Sequence, residues 1–235
     1  MRLTWLEPGE RLPAPDDAPG DAPLAAGRDL SAARLVEAYS QGIFPWFSPG
    51  QPVLWWSPDP RMILPLEAFR VRRSLAKTLR RIRESGNWQL RLDTAFDEVL
   101  SACAMPRPGQ SGTWITPAMR AAYGELHRRG LAHSVETWAG DELVGGLYGV
   151  SLGRMFFGES MFARETDASK VALAGLVALL RGCDFRVIDC QQNTRHLASL
   201  GAFETDRTSF LRQVRELVRL PAPDWSRLRI EVPDA

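Results

Sequence analysis

The sequence predicts an α+β fold, a small N-terminal α/β domain followed by a larger mixed domain. Three observations point there. Hydrophobic content of 45% and charged content of 24% are those of a globular chain rather than a disordered one. The second half alternates short apolar runs of strand period with segments of helical period. A length of 235 residues, at about 150 per domain, allows one domain or two.

Pro8, Pro13, Pro15, Pro19 and Pro23, with Gly9, Gly20 and Gly27, predict an extended lead-in over residues 8–27. Ser31 then caps a short helix whose Leu35, Val36 and Tyr39 share a face, and Gly42 ends it. From Gly42 to Arg61 prolines and glycines are too dense for a long helix, so at least five large aromatics are expected on turns. A boundary is placed near residue 62, giving an N-terminal domain over 1–62 and a catalytic domain over 63–235.

Val71, Leu75, Leu79 and Ile82 recur at helical spacing, and Trp88, Leu90 and Leu92 alternate as a strand. A helix is expected from Asp93. Thr116-Pro117 is a cap followed by proline at the first helical position, with Met119, Ala122, Tyr123 and Leu126 as the apolar face and Gly130 as the stop. Next come strands near 132–138, 143–150 and 154–162, joined by Ala139-Gly140-Asp141 and Ser151-Leu152-Gly153. Asp167 is expected to cap a helix to about Arg181. A strand over 185–189, a short helix over 194–199, a strand near 202–204 and a helix over 207–218 complete the chain. The order β-β-β-α-β-α-β is that of the GNAT acyltransferase fold, and a fold by itself does not give a function. GNAT enzymes hold the CoA pyrophosphate on a glycine-rich loop after the third of these strands. Here that junction, Phe162 to Ser169, has no glycine, so an acyl donor other than acyl-CoA is expected.

Several classes are set aside. No apolar run approaches the roughly 18 residues of a membrane helix. The N-terminus is acidic and proline-rich, unlike a secretory signal. Cys103, Cys183 and Cys190 lack CxxC spacing and read as reduced thiols of a cytoplasmic protein. With three histidines and no HxH or HExxH pattern, neither a metal nor a cofactor is expected.

Four groups of residues carry candidate chemistry. Arg70, Arg72, Arg73, Lys77, Arg80, Arg81 and Arg83 crowd one helix in a chain of net charge +1. They read either as a solvated amphipathic face or as the footprint of a phosphate backbone. Trp46, Phe47, Trp55, Trp56 and Trp114 read partly as core and partly as platforms for a nucleobase. In Asp189-Cys190-Gln191 strand alternation sets Asp189 and Gln191 on one face with Cys190 opposite, unless this is an ordinary polar strand end. Phe157, Glu159 and Met161 alternate likewise, so Glu159 is expected to need a cationic partner, either an arginine or a substrate. His196 reads as a packing residue.

Taken in order, GIFPWFSPGQPVLWWSPDPR, SGTWIT, DELVGGLYGVSLGRMFFGESMF, ASK and IDCQQNTRHLASLGA closely resemble the bacterial leucyl/phenylalanyl-tRNA–protein transferase family over residues 28–220. The resemblance implies transfer of Leu, Phe or Met from aminoacyl-tRNA to proteins with N-terminal Arg or Lys, which marks them for N-end-rule degradation. It also implies a small N-terminal domain before a GNAT-like one, a cytoplasmic monomer, and no metal, cofactor or membrane. By motif, Asp189 and Gln191 match the catalytic pair and Glu159 the active-site glutamate. Trp46 and Trp114 match the tryptophans near the terminal adenosine. Tyr39, Phe156, Met161, Leu173, Leu176, Leu180 and Ile188 fall in the substrate pocket, where some relatives carry Phe in place of Leu176 and Leu180. Arg73, Lys77, Arg80 and Arg81 match the cluster that holds tRNA, and Thr194 receives no role.

On this assignment the acceptor is an α-amine of pKa about 7.7–8.0, partly neutral at cellular pH, so no strong base is required. Gln191 is a poor base and is expected to orient the amine, itself fixed by Asp189, while Glu159 and Asp189 face the acceptor's cation. Three rival readings are an acetyl-CoA-dependent N-acetyltransferase, a non-catalytic RNA-binding module, and a cell-wall peptidyltransferase, whose doubled GNAT domain needs a longer chain.

Overall fold

A computed structural model describes residues 3–106 and 113–234. In chain order its elements are β1 (Thr4–Leu6), β2 (Ala25–Gly27), α1 (Ala32–Ser40), β3 (Phe44–Pro45), β4 (Val53–Trp56), β5 (Arg61–Pro65), α2 (Arg73–Ser85), β6 (Trp88–Leu92) and α3 (Phe96–Cys103). There follow α4 (Pro117–Arg128), β7 (Ala132–Ala139), β8 (Glu142–Leu152), β9 (Met155–Ala163), α5 (Ala168–Gly182), β10 (Val187–Gln191), α6 (Arg195–Ser199), β11 (Phe203–Thr205) and α7 (Arg207–Leu217). The expected β-β-β-α-β-α-β order is present from β7 to β11.

The strands form two sheets. One runs β1-β2-β4-β3 and the other β11-β5-β10-β9-β8-β7-β6. Apolar side chains pack on both faces of the larger sheet. Tyr39 of α1, Phe96 of α3, Tyr123 of α4 and Phe210 of α7 join Tyr148 and Phe157 on one face. Leu79 of α2 and Leu173 and Leu176 of α5 join Phe156 and Ile188 on the other. No helix among the described residues is long and apolar enough to cross a membrane.

Capping explains the helix starts that follow local rules. The Ser31 side chain accepts from the Arg34 N–H, and Thr116 accepts from the Met119 N–H ahead of Pro117. Two starts depart from expectation. α3 begins at Phe96, not Asp93, because Asp93 turns left-handed at φ 57°. The turn leading into it is held from a distance: Glu136 of β7 accepts from Thr94 N at 3.1 Å and from the cap residue's Ala95 N at 3.2 Å. Asp167 likewise sits at φ 68° and makes no capping bond. Its carboxylate pairs with Lys170 at 2.6 Å and accepts from Thr78 Oγ1 at 3.1 Å, tying α5 to α2. α2 starts at Arg73 with Val71 outside it, and buries Leu75, Leu79 and Ile82.

The aromatic segment is also a correction. β3 and β4 pair Phe44 with Trp56 and Pro45 with Trp55, so these side chains stand on strands rather than turns. Trp55, Phe44 and Phe47 are buried in the core. The strand β5, which the sequence reading left unassigned, pairs with β10 on one side and β11 on the other.

Candidate active site

The site follows from a divergence of two strands. β9 and β10 run parallel and pair only at Ile188–Phe156 and Asp189–Phe157. Beyond that point they separate, and a cleft of about 860 Å³ opens between them. Each strand also breaks its regular alternation there. The register of β8 against β9 steps from Tyr148–Ser160 to Gly149–Gly158, leaving Glu159 as an extra, bulged residue. Gly149 permits the bulge, since a Cβ there would lie 2.4 Å from the Phe156 ring. On β10 the register shifts between Asp189 and Gln191, and Gln191 takes φ 62°.

These bulges correct both alternation readings. Phe157 packs with the α1 and α4 side of the sheet, whereas Met161 packs on the opposite side with Phe156. Asp189, Cys190 and Gln191 all line the cleft, so Cys190 does not oppose its neighbours. Burial pushes the Cys190 thiol up, so it stays neutral.

At the floor of the cleft Glu159 accepts hydrogen bonds from Tyr39 Oη at 2.6 Å, Tyr123 Oη at 2.9 Å and Gln191 Nε2 at 2.8 Å. Of the two partners expected, an arginine or a substrate, no arginine reaches it; among the described residues Glu159 is held by neutral donors. Burial raises its pKa to about 7, the two tyrosine hydroxyls pull it down, and the Asp189 charge pushes it up. The carboxyl is therefore divided between its two protonation states near neutrality. Burial, then the Glu159 charge, holds the Tyr39 and Tyr123 hydroxyls well above their usual range, so both remain donors.

The cation instead serves Asp189. Arg61 Nε donates to Oδ1 at 2.8 Å and Nη2 donates to Oδ2 at 2.6 Å, with both residues fully buried. Oδ1 accepts in addition from the Gln191 backbone N–H at 2.9 Å. One continuous set of bonds thus runs from Arg61 through Asp189 and Gln191 to Glu159 and the two tyrosines.

The remaining candidates divide. Phe156, Met161, Leu173, Leu176 and Ile188 form an apolar wall, to which β5 adds Leu64. Leu180 is buried beside that wall without lining it, and Tyr39 lies behind Glu159. Trp46, 39% exposed, and Trp114 also line the cleft. Trp56 braces Trp46, its Nε1 donating to the Trp46 carbonyl at 2.7 Å. Ser111 and Gly112 of the SGTWIT motif lie outside the described residues. His196 lines the cleft as well, and burial, then Lys170, lowers its pKa, which keeps the ring neutral. At the Phe162–Ser169 junction the N–H groups of Arg164 and Glu165 are both bonded to Val144 O, and that of Ala168 to Glu165 O. Those three groups are committed, as the glycine-free sequence implies.

On α2, Arg73, Lys77, Arg80 and Arg81 are exposed. Their side chains form no hydrogen bond or ion pair among the described residues, whereas Arg72 donates to Ser199 O and Arg83 pairs with Asp234. Like charges at i, i+4 cost a helix a few tenths of a kcal/mol per pair, so the helix is carried by its buried stripe. The Thr78–Asp167 bond joins it to the start of α5, where Ser169 lines the cleft.

Sequence reasoning missed Arg61, Leu64 and Tyr123 as site residues. A lone arginine opening the apolar run Met62-Ile63-Leu64 was the available signal for the first two. Tyr123 carried none, since it sits on an ordinary apolar helix face.

Comparison with known proteins gives a consistent picture. Residues 63–215 match the family model described as leucyl/phenylalanyl-tRNA protein transferase, and residues 28–59 match that of its N-terminal domain. The chain is similar to a Bordetella petrii protein named leucyl/phenylalanyl-tRNA--protein transferase, 56% identical over 238 residues that cover 98% of this chain and 94% of that one. A Cupriavidus necator protein of the same name is 58% identical over 226 residues, covering 94% and 90%. Among solved structures, that of L-PGS from Bacillus licheniformis matches with a TM-score of 0.44 at 8% identity, covering 68% of this chain and 65% of that one, and nothing below rests on it.

Proposed function

The chain belongs to the leucyl/phenylalanyl-tRNA–protein transferase family, and from that premise we propose how its cleft carries an aminoacyl group from tRNA to a protein N-terminus. The observation that carries the proposal is the commitment of Gln191. Its Nε2 is bound to Glu159 and its backbone N–H to Asp189, while its Oε1 accepts from no donor among the described residues and the residue lines the cleft.

An amide oxygen so fixed accepts one N–H of the incoming α-amine and aims the nitrogen lone pair at the ester carbonyl. The new C–N bond forms as the bond from the carbonyl carbon to the ribose 3′-oxygen breaks, and the proton lost by nitrogen ends on that oxygen. Holding amine and ester in attack geometry supplies much of the rate. Asp189 is a poor partner for the acceptor's cation, because the Arg61 guanidinium already offsets its charge and both residues are fully buried. The negative charge met by an N-terminal Arg or Lys side chain is then that of Glu159 alone, in its ionised fraction.

The donor's Leu, Phe or Met side chain rests on the apolar wall of Phe156, Met161, Leu173, Leu176 and Ile188. Its terminal adenosine stacks at Trp46 and Trp114, where each base contact is worth about 1–3 kcal/mol. Arg73, Lys77, Arg80 and Arg81 hold the tRNA backbone, positioning it without reading sequence. A two-part division is supported by the change of sheet between Trp56 and Arg61, with the boundary a few residues before 62 so that β5 stays whole. The reading extends to a monomer and to the cytoplasm, where aminoacyl-tRNA and N-end-rule degradation are found.

The test is Gln191→Asn, because asparagine tolerates a left-handed backbone while withdrawing the amide by one carbon. Transfer slows while Leu-tRNA affinity stays nearly intact. A loss of affinity equal to the loss of rate removes Gln191 from the reaction.

A further inference from the structure

Arg61 is the last residue of the motif GIFPWFSPGQPVLWWSPDPR, to which the resemblance gives no role, and it does not line the cleft, yet its side chain is enclosed on every side. It opens β5 with its side chain 1% exposed. Its guanidinium lies between two aromatic faces, 4.7 Å from the Phe44 ring centroid and 4.4 Å from that of Phe210. Two of its nitrogens form a fork on Asp189, and the third, Nη1, is buried without a hydrogen-bond partner among the described residues.

That arrangement is a poor means of stabilising a fold. Burying an ion pair costs desolvation that apolar residues of similar size would avoid, and a buried donor left unpaired adds to the cost. What the pair does is geometric. A planar fork between two rings fixes the plane and position of the Asp189 carboxylate. Asp189 Oδ1 then holds the Gln191 N–H where the strand bulges and Gln191 adopts φ 62°. A non-glycine residue in that region is held there by its surroundings.

We propose that Arg61 is a positioning residue for the transfer reaction, acting through Asp189 to fix Gln191 in the conformation that presents its amide to the attacking amine. The inference rests on the role given above to Gln191. Neighbouring elements of the fold converge on this one group: β3 and α7 supply the rings, β5 the cation and β10 the carboxylate. A lysine at position 61 keeps the charge but has neither the fork nor the planar stacking face. Asp189 then rotates, and the Gln191 amide moves with it.

The test is a double-mutant cycle of Arg61→Lys and Gln191→Asn on the full chain, reading the maximal transfer rate and, separately, the Kd for Leu-tRNA. In the parent, Arg61→Lys lowers the rate roughly tenfold to 100-fold, the scale of a misplacement of about 1 Å, with Kd unchanged. In the Gln191→Asn background the same substitution changes the rate by less than about twofold, because the two act as one unit. If Arg61→Lys does not fold, Phe210→Leu enters the same cycle, keeping the ion pair while removing one ring. An equal loss in both backgrounds, or a parent rate that Arg61→Lys leaves intact, overturns the proposal. If Gln191→Asn alone has no effect, it is the role of Gln191 that fails, whichever way Arg61 behaves.

Discussion

Replacing Glu159 by glutamine removes one titrating carboxyl from the floor of the cleft while keeping its shape. In the folded protein that carboxyl has a pKa of about 7 against an ordinary value of 4.5. The folded state therefore binds the proton more tightly than the unfolded chain. The resulting stability is fully present below pH 4.5 and is lost as pH rises through about 7. That difference corresponds to roughly 3 kcal/mol, most of which falls between pH 5 and pH 8. Denaturant unfolding of both proteins across that range isolates the group, because every other titration is common to the two and cancels in the difference. Glu159→Gln gains on the parent by roughly 2–3 kcal/mol from pH 5 to pH 8. A difference that stays flat over the range means Glu159 titrates as an ordinary exposed glutamate, and the account of the cleft floor is then wrong.

Two further perturbations address substrate recognition. Reversing charge at Arg80 and Arg81 weakens binding of any aminoacyl-tRNA and reduces the slope of log K against log salt by about 2, one for each lost phosphate contact; an unchanged slope takes α2 out of the tRNA site. Leu176→Phe adds bulk to the apolar wall and lowers transfer of Phe relative to Leu by roughly tenfold, the scale of a misfit of one or two methylenes. Leu180→Phe, off the wall, changes the ratio less, and a reversed order of the two effects places the side-chain pocket elsewhere.

The parts of the fold that were legible in the sequence are those decided locally. Ser31, Thr116-Pro117 and the buried stripe of α2 carry their signals within a turn or two of the helix they start or support. Gly140 and Gly153 mark the hairpins likewise, although each connection is two residues long rather than three, with Ala139, Ser151 and Leu152 kept in the strands. What was not legible is what distant partners decide. Glu136 reaches across from β7 to hold the turn leading into α3, so Asp93 lost the role its position implied. The bulge at Glu159 depends on the Phe156 ring lying against Gly149, and a plain alternation of residues cannot register it. Glu159 and Asp189 are legible as candidates, but their partners are not. Of the two partners expected for Glu159, an arginine or a substrate, the arginine stands at Asp189 instead, and the tyrosines that hold Glu159 come from α1 and α4, far away in sequence. β5 was missed because Pro65 ends so short an apolar run, and with it went Arg61.

The central claim is that an aminoacyl group leaves tRNA for the α-amine of a protein whose first side chain is cationic. It is tested most directly by offering radiolabelled Leu-tRNA and Phe-tRNA with matched peptides that begin with Arg or with Ala, to the parent and to Glu159→Gln. Label on the Arg peptide alone, with the preference over Ala lost in the variant, is the predicted result. Transfer to neither peptide while tRNA remains bound would contradict it and leave a chain that binds RNA without performing the reaction.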